Sequence, residues 1–420
     1  MKLPIFVFLF LLHQLNVFAQ DNKKILFIGN SYIYSNSMPA VVQNLANAAN
    51  DTVVYSASTP GGAQLIQHVS NVNTLQFIRQ GGWDYVVIQE QSQKPSFSPA
   101  QVATDVLPYA QQLNDSIKLY NPCAETLFFM TWGRQNGDQN NCAFYPPVCT
   151  YQGMQHRLRQ SYLLMADQNN ALCAPVGAAW HYVRDSFPSL NLYSSDGSHP
   201  SFAGTYLAAC TFYSSIFRKS ALGLNYTGSL SAVEALNLQA AASHVVLDSL
   251  ENWNIGAYDT QASFGHLVLG DSVQFSNTSV HASNYLWNFG DSTPYSVDQN
   301  PGHAYANNGT YTVSLIVQGS CGQLDTFRQS ITINLMSAIS SMNLPAVRVF
   351  PNPAKDQLFV QASSPIVGLS LFDLSGRLIR KQATTHQDKS TLFIPSVTKG
   401  VYLLKINLEG HSEYKKIILD

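Results

Sequence analysis

Lys24-Ile25-Leu26-Phe27-Ile28-Gly29-Asn30-Ser31 is the stretch on which the reading of this chain turns: four consecutive apolar residues, a glycine, then two small polar residues. A short unbroken apolar run closed by a turn signal suits a strand buried on both faces. Gly29 permits a sharp exit. A serine just past the carboxyl end of the first strand of a parallel sheet lies at the crevice where such sheets bind ligands. Four further runs follow, at 53–57, 85–89, 127–131 and 172–176, and Pro175 in the last predicts an edge strand. Stretches of helical periodicity accompany them at 39–50, 99–120, 151–169, 202–219 and 232–253. Strands alternating with helices at this spacing predict an α/β fold, a parallel sheet covered on both faces.

The chain has 420 residues, which suits two or three domains. Lys and Arg number 23 against 25 Asp and Glu, and charged residues make up 11%, against roughly 25% in ordinary soluble domains. That balance excludes the basic face of a nucleic-acid binder and an acidic disordered tail. The start, Met1-Lys2, an apolar run over 3–12 and Val17-Phe18-Ala19, reads as a cleavable signal peptide over 1–19. The run is shorter than the ~18 residues of a membrane span, and no transmembrane segment is expected in the mature chain. Six cysteines (123, 142, 149, 173, 210, 321) would then meet an oxidising compartment. They form no CxxC pair, and no metal or cofactor is expected. Cys142 and Cys149 bracket an Asn- and Pro-rich loop, and a disulfide there would stabilise by ~2–3 kcal/mol. A second bridge between Cys123 and Cys173 is expected as an option, and Cys210 as a buried thiol.

After Trp253 the texture changes to period two, as in Tyr285-Trp287-Phe289 and Tyr311-Val313-Leu315-Val317, which predicts a small antiparallel sandwich over 258–335. A linker follows at 336–343, and residues 345–420 again read as short strands.

Two motifs carry chemistry. Ser31 ends the first, and Asp196-Gly197-Ser198-His199-Pro200 is the second. Three-residue spacing across a glycine turn lets one carboxylate reach the imidazole Nδ1–H and leaves Nε2 as a base. Together they resemble the SGNH hydrolases (GDSL-type esterases). The resemblance implies a three-layer α/β/α sandwich with a five-stranded parallel sheet over 20–253 and ester hydrolysis through an acyl-enzyme. It makes Ser31 the nucleophile, His199 the general base and Asp196 its orienter. Pro60-Gly61-Gly62-Ala63 looks like the family's glycine block, with the Gly62 N–H joining the Ser31 N–H in an oxyanion hole, and Gly61 close behind. The third block departs: where the family usually has Gly-x-Asn, this chain has Ile88-Gln89-Glu90-Gln91-Ser92. Gln89 is the candidate donor and Gln91 the alternative. Asn30 replaces the commoner aspartate, at little expected cost. Trp132 and Arg134, past the fourth strand, are candidate contacts to a sugar or carboxylate. His68, His156, His181 and His244 have no aspartate at comparable spacing and read as surface or packing residues.

Residues 258–335 resemble a PKD-type Ig-like domain through Trp287-Asn288-Phe289-Gly290-Asp291, Asn300-Pro301-Gly302-His303-Ala304-Tyr305 and Gly309-Thr310-Tyr311-Thr312-Val313, with His303 structural. Residues 345–420 resemble a type IX secretion C-terminal sorting domain through Val349-Phe350-Pro351-Asn352-Pro353-Ala354, Asp373-Leu374-Ser375-Gly376-Arg377 and Lys399-Gly400-Val401-Tyr402. The expectation is a secreted or cell-surface serine esterase. Its substrate would be an O-acetyl or other small acyl ester on a carbohydrate, and the type IX machinery its export partner. A non-catalytic glycan-binding adhesin and a lipase or thioesterase are the alternatives.

Overall fold

The computed structural model describes residues 21–334, 347–394 and 396–420; the expected signal peptide and linker lie outside them. Five parallel strands, β1 (Asn22–Ile28), β2 (Thr52–Ser58), β3 (Tyr85–Ile88), β4 (Glu125–Phe129) and β5 (Leu172–Ala174), form a sheet in the order β2-β1-β3-β4-β5. The order reverses between β1 and β3, the switch point where open α/β sheets place their ligand crevice. Pro175 follows β5 directly, and β5 is one of the two edge strands.

Side chains alternate across β1. Ile25 and Phe27 enter one core with Val42 and Leu45, while Leu26 and Ile28 enter a second with Leu113, Ile117 and Leu158. All four β1 residues are fully buried, which is why the strand reads as a continuous apolar run. Phe27 packs edge-on to Phe212 at 5.8 Å; cutting it to Ala would cost ~3–5 kcal/mol.

The ten helices assigned among the described residues are α1 (Ser31–Tyr34), α2 (Met38–Ala48), α3 (Leu65–His68), α4 (Val72–Gln80), α5 (Pro99–Asp105), α6 (Leu107–Tyr120), α7 (Tyr151–Gln168), α8 (Val176–Ser186), α9 (Phe202–Phe217) and α10 (Ala232–Leu247). The expected helix over 99–120 is broken at Val106, because Pro108 cannot donate to residue 104 and instead sits in the first turn of α6. Helix α8 was hidden behind the last apolar run: Pro175 ends the strand and starts the helix.

Beyond Trp253, β6 (Phe264–Leu269), β7 (Ser272–Asn277) and β9 (Gly302–Ala304) form one three-stranded sheet. Strands β8 (Asn284–Asn288), β10 (Gly309–Gln318) and β11 (Leu324–Ile333) form another. Trp287, Phe275, Val313 and Leu315 fill the space between them. His303 lies flat on Phe289 at 4.0 Å and meets Asp291 at 2.7 Å, a packing role.

The C-terminal body is one five-stranded antiparallel sheet of β12 (Arg348–Phe350), β13 (Gln357–Asp373), β14 (Leu378–Phe393), β15 (Gly400–Leu408) and β16 (His411–Leu419). The strands expected around 358–360 and 369–371 are one long strand, whose register shifts between Gln361 and Ile366. Asn352 donates to the Lys416 carbonyl and accepts from the Ile418 N–H, so the Pro-Asn-Pro motif is pinned to the last strand.

Cys142 and Cys149 are bonded. The Cys123–Cys173 expectation is corrected: Cys123, exposed before β4, bonds Cys321 in the β10–β11 turn. Cys173 points into the core and is free, as is Cys210. Burial pushes the Cys173 thiol up to about 12 and raises Cys210 as well. A non-reduced peptide map is therefore expected to contain the 123–321 and 142–149 bridges. Iodoacetamide at pH 8 should label Cys173 and Cys210 only after denaturant is added. Rapid labelling of either in the folded chain would contradict this packing.

Candidate active site

The site begins where β1 leaves the sheet. The Gly29 N–H still donates to the Ser58 carbonyl at 3.1 Å, as a sheet residue would. A Cβ on Gly29 would lie 2.5 Å from Gln89 Oε1 and 2.6 Å from Ile33 Cδ1, so a larger residue would displace the Gln89 amide. Asn30 caps α1. Its Oδ1 accepts from the Tyr32 N–H at 3.2 Å, its Nδ2 donates to the Ala63 carbonyl at 2.9 Å, and its N–H donates to Gln89 Oε1 at 3.0 Å. Ser31 is then the first residue of α1, where an N–H has no partner within its helix.

The second half is the 194–200 loop. Asp196 Oδ1 accepts the N–H groups of Ser198 and His199 at 3.0 and 2.9 Å, and Oδ2 meets His199 Nδ1 at 2.5 Å. His199 Nε2 lies 2.9 Å from Ser31 Oγ. Burial pushes the Asp196 carboxyl up, but the hydrogen bonds from the His199 ring and these two N–H groups outweigh it and hold it below its usual range. The cap of α9 is Ser201, through its Oγ, which leaves Asp196 to the imidazole.

Three contacts hold this loop over the serine. Trp132 Nε1 donates to the Ser198 carbonyl at 3.0 Å, the Gln135 N–H to the Gly197 carbonyl at 2.8 Å, and Tyr32 and Ser198 share a hydroxyl contact of 2.7 Å. Tyr32, Trp132 and Trp180 stack, with centroids 4.6 and 3.9 Å apart, and fill the space beneath the loop.

The expected oxyanion and substrate residues divide. Gly62 is exposed, in the left-handed region at φ +67° that glycine tolerates. Asn30 Nδ2 ties that block to the serine turn. Gln89 is corrected from donor to brace. It is fully buried, its Oε1 is taken by Asn30, and its Nε2 donates to the Glu90 carbonyl. Gln91 is engaged too, its Nε2 donating to Ser92 Oγ at 3.3 Å and to Gln93 Oε1 at 3.2 Å. Trp132 is fully buried and is a support rather than a sugar contact. Arg134 stays at the rim, its Nη1 3.4 Å from the buried Asp138. Sequence reasoning gave no role to Tyr32, nor to Ser198 and Glu90 although both stand inside quoted blocks. His181 and His244 do have aspartates, Asp185 at 3.4 Å and Asp248 at 2.7 Å, each one helical turn on and exposed.

Glu90, 1% exposed, accepts from the Leu65 and Gln91 N–H groups. Burial pushes its carboxyl up from 4.5 to about 7.

With this geometry in hand, the chain can be compared with known proteins. Residues 348–420 match the family described as the secretion system C-terminal sorting domain, and residues 260–335 the PKD domain, as their motifs predict. The sorting domain marks a secreted or cell-surface protein. No helix among the described residues is long and apolar enough to cross a membrane. Over 71 residues the chain is 37% identical to collagenase ColA of Bacillus cereus, a match covering 16% of this chain and 7% of that protein's length. Among solved structures it is similar to a DUF4886 family protein from Bacteroides uniformis, at 20% identity over 54% of this chain and 95% of the other, with a TM-score of 0.46. It is also similar to the psychrotrophic esterase EstA from Pseudoalteromonas sp., at 14% identity over 47% and 97%, with a TM-score of 0.33.

Two outcomes follow from the packing. Asn30→Asp would set a carboxylate oxygen against the Ala63 carbonyl, 2.9 Å away. It should displace the glycine block and lower kcat/KM by ~10–100-fold, as measured on an activated acetyl ester. The raised Glu90 pKa favours the folded chain below pH 4.5, and that contribution is lost as pH rises through about 7. Glu90→Gln should flatten the fall in unfolding free energy between pH 5 and 8 by on the order of 3 kcal/mol; identical denaturation curves for both chains would refute this.

Proposed function

We propose that the chain is a secreted serine ester hydrolase built as a hydrolase-like domain over 20–253, a PKD-type domain over 258–335 and a sorting domain over 345–420. The observation that carries the reading is the unbroken contact from Ser31 Oγ to His199 Nε2 at 2.9 Å and from His199 Nδ1 to Asp196 at 2.5 Å. Ser31 Oγ attacks the ester carbonyl as its proton passes to His199 Nε2, and Asp196 holds the imidazolium. The oxyanion forms against the N–H groups of Ser31 and Gly62. His199 gives the proton to the departing alcohol, then takes one from the water that attacks the acyl-enzyme and passes it to Ser31 Oγ as the acyl–Oγ bond breaks, releasing the acid and restoring the serine hydroxyl.

The preferred substrate is a small acyl group, such as O-acetyl, on a carbohydrate. His199 and Asp196 are 40% and 48% exposed, an open rim that suits a bulky alcohol partner. Arg134, with 26% of its side chain exposed, supplies a positive charge to meet polar or acidic groups of the sugar. The missing third-block amide favours a second reading, a glycan-binding protein that keeps the scaffold without the activity.

Ser31→Ala should lower turnover of p-nitrophenyl acetate by up to ~10⁶-fold, and a fluorophosphonate should label the wild-type chain at Ser31 alone. Wild-type protein that binds glycan but resists the phosphonate would favour the adhesin instead.

A further inference from the structure

We propose that His68 is a positioning residue for this hydrolysis: its ring holds the Gly29 carbonyl while Gln89 holds the Asn30 N–H, so that one peptide is gripped from both sides immediately before the serine. The inference rests on the ester hydrolase reading and deepens it.

His68 ends α3, five residues past Ala63 of the glycine block, and is 1% exposed. Its Nε2 lies 2.9 Å from the Gly29 carbonyl and its Nδ1 2.8 Å from Thr74 Oγ1. Thr74 Oγ1 in turn lies 2.8 Å from Ser58 Oγ. A carbonyl only accepts, so the ring proton sits on Nε2, and Nδ1 takes the Thr74 hydroxyl proton. Thr74 Oγ1 then accepts from Ser58. Asn71 Oδ1 keeps the Thr74 N–H at 3.0 Å. This arrangement satisfies the buried groups it joins, with Asn71 Oδ1 standing 3.3 Å from Thr74 Oγ1 as a second acceptor, and burial favours the neutral ring it requires.

The Gly29–Asn30 peptide cannot turn without breaking either hold. With Asn30 also fixed through Ala63 and Tyr32, the next peptide presents the Ser31 N–H to the developing oxyanion at a set angle. A leucine at 68 would fill the space and donate nothing. A glutamine places an amide nitrogen near the former Nε2.

The test uses the full chain. His68→Leu should lower kcat on p-nitrophenyl acetate by ~10–100-fold with KM within about threefold of wild type, and His68→Gln should restore kcat to within about fivefold. Nitrogen NMR of histidine-labelled protein, with His68 assigned by its loss in His68→Gln, should report the Nε2–H tautomer at pH 7. An Nδ1–H tautomer, which leaves Nε2 nothing to donate to the Gly29 carbonyl, overturns the proposal without reference to activity. A His68→Leu chain with kcat within about threefold of wild type, where Ser31→Ala is inactive, removes His68 from the mechanism and leaves the hydrolase standing. A wild-type chain inert to both ester and fluorophosphonate sinks the hydrolase and this role together.

Discussion

Backbone polar groups that leave a sheet must find partners elsewhere, and at the carboxyl end of β1 that requirement shapes the whole site. Gly29 still bonds to β2, Asn30 bonds to Gln89 just past β3 and to the glycine block, and the Asn30 carbonyl closes the first turn of α1. Gln89 approaches so closely that a side chain at 29 would displace its amide. Once these demands are met, the serine has little freedom left. The switch point of the sheet supplies the crevice, and the satisfied loop ends supply its geometry.

The imidazole side is built differently. Asp196 and His199 lie in a solvent-facing loop, so their contact gains little from low dielectric. Their placement comes from beneath, where Tyr32, Trp132 and Trp180 form a buried aromatic stack and Trp132 reaches up to the Ser198 carbonyl. A rigid apolar floor under an open polar rim orders the base without enclosing it.

The additions after Trp253 obey separate rules. The six-stranded sandwich has its own core around Trp287 and is joined by Cys123–Cys321 to the loop before β4. That loop lies at the amino end of the parallel strands, opposite the serine, so the staple does not constrain the chemistry. The C-terminal sheet has a third core of its own, around Leu358, Leu369 and Ile406.

Much of this was legible in one dimension. Unbroken apolar runs such as 25–28 require strands buried on both faces, and period-two texture requires half-buried ones, because burial acts residue by residue along the chain. The Gly-Asn-Ser and Asp-x-x-His blocks could be read for the same reason: each is local, a turn whose shape its own residues set. Partnership across the fold could not be read. Cys321 as the mate of Cys123, Gln89 as a brace, Trp132 as a floor and Asn30 as the link to Ala63 all depend on which loops the sheet order brings together. That order follows from packing two cores at once, a collective property that no single stretch of residues encodes.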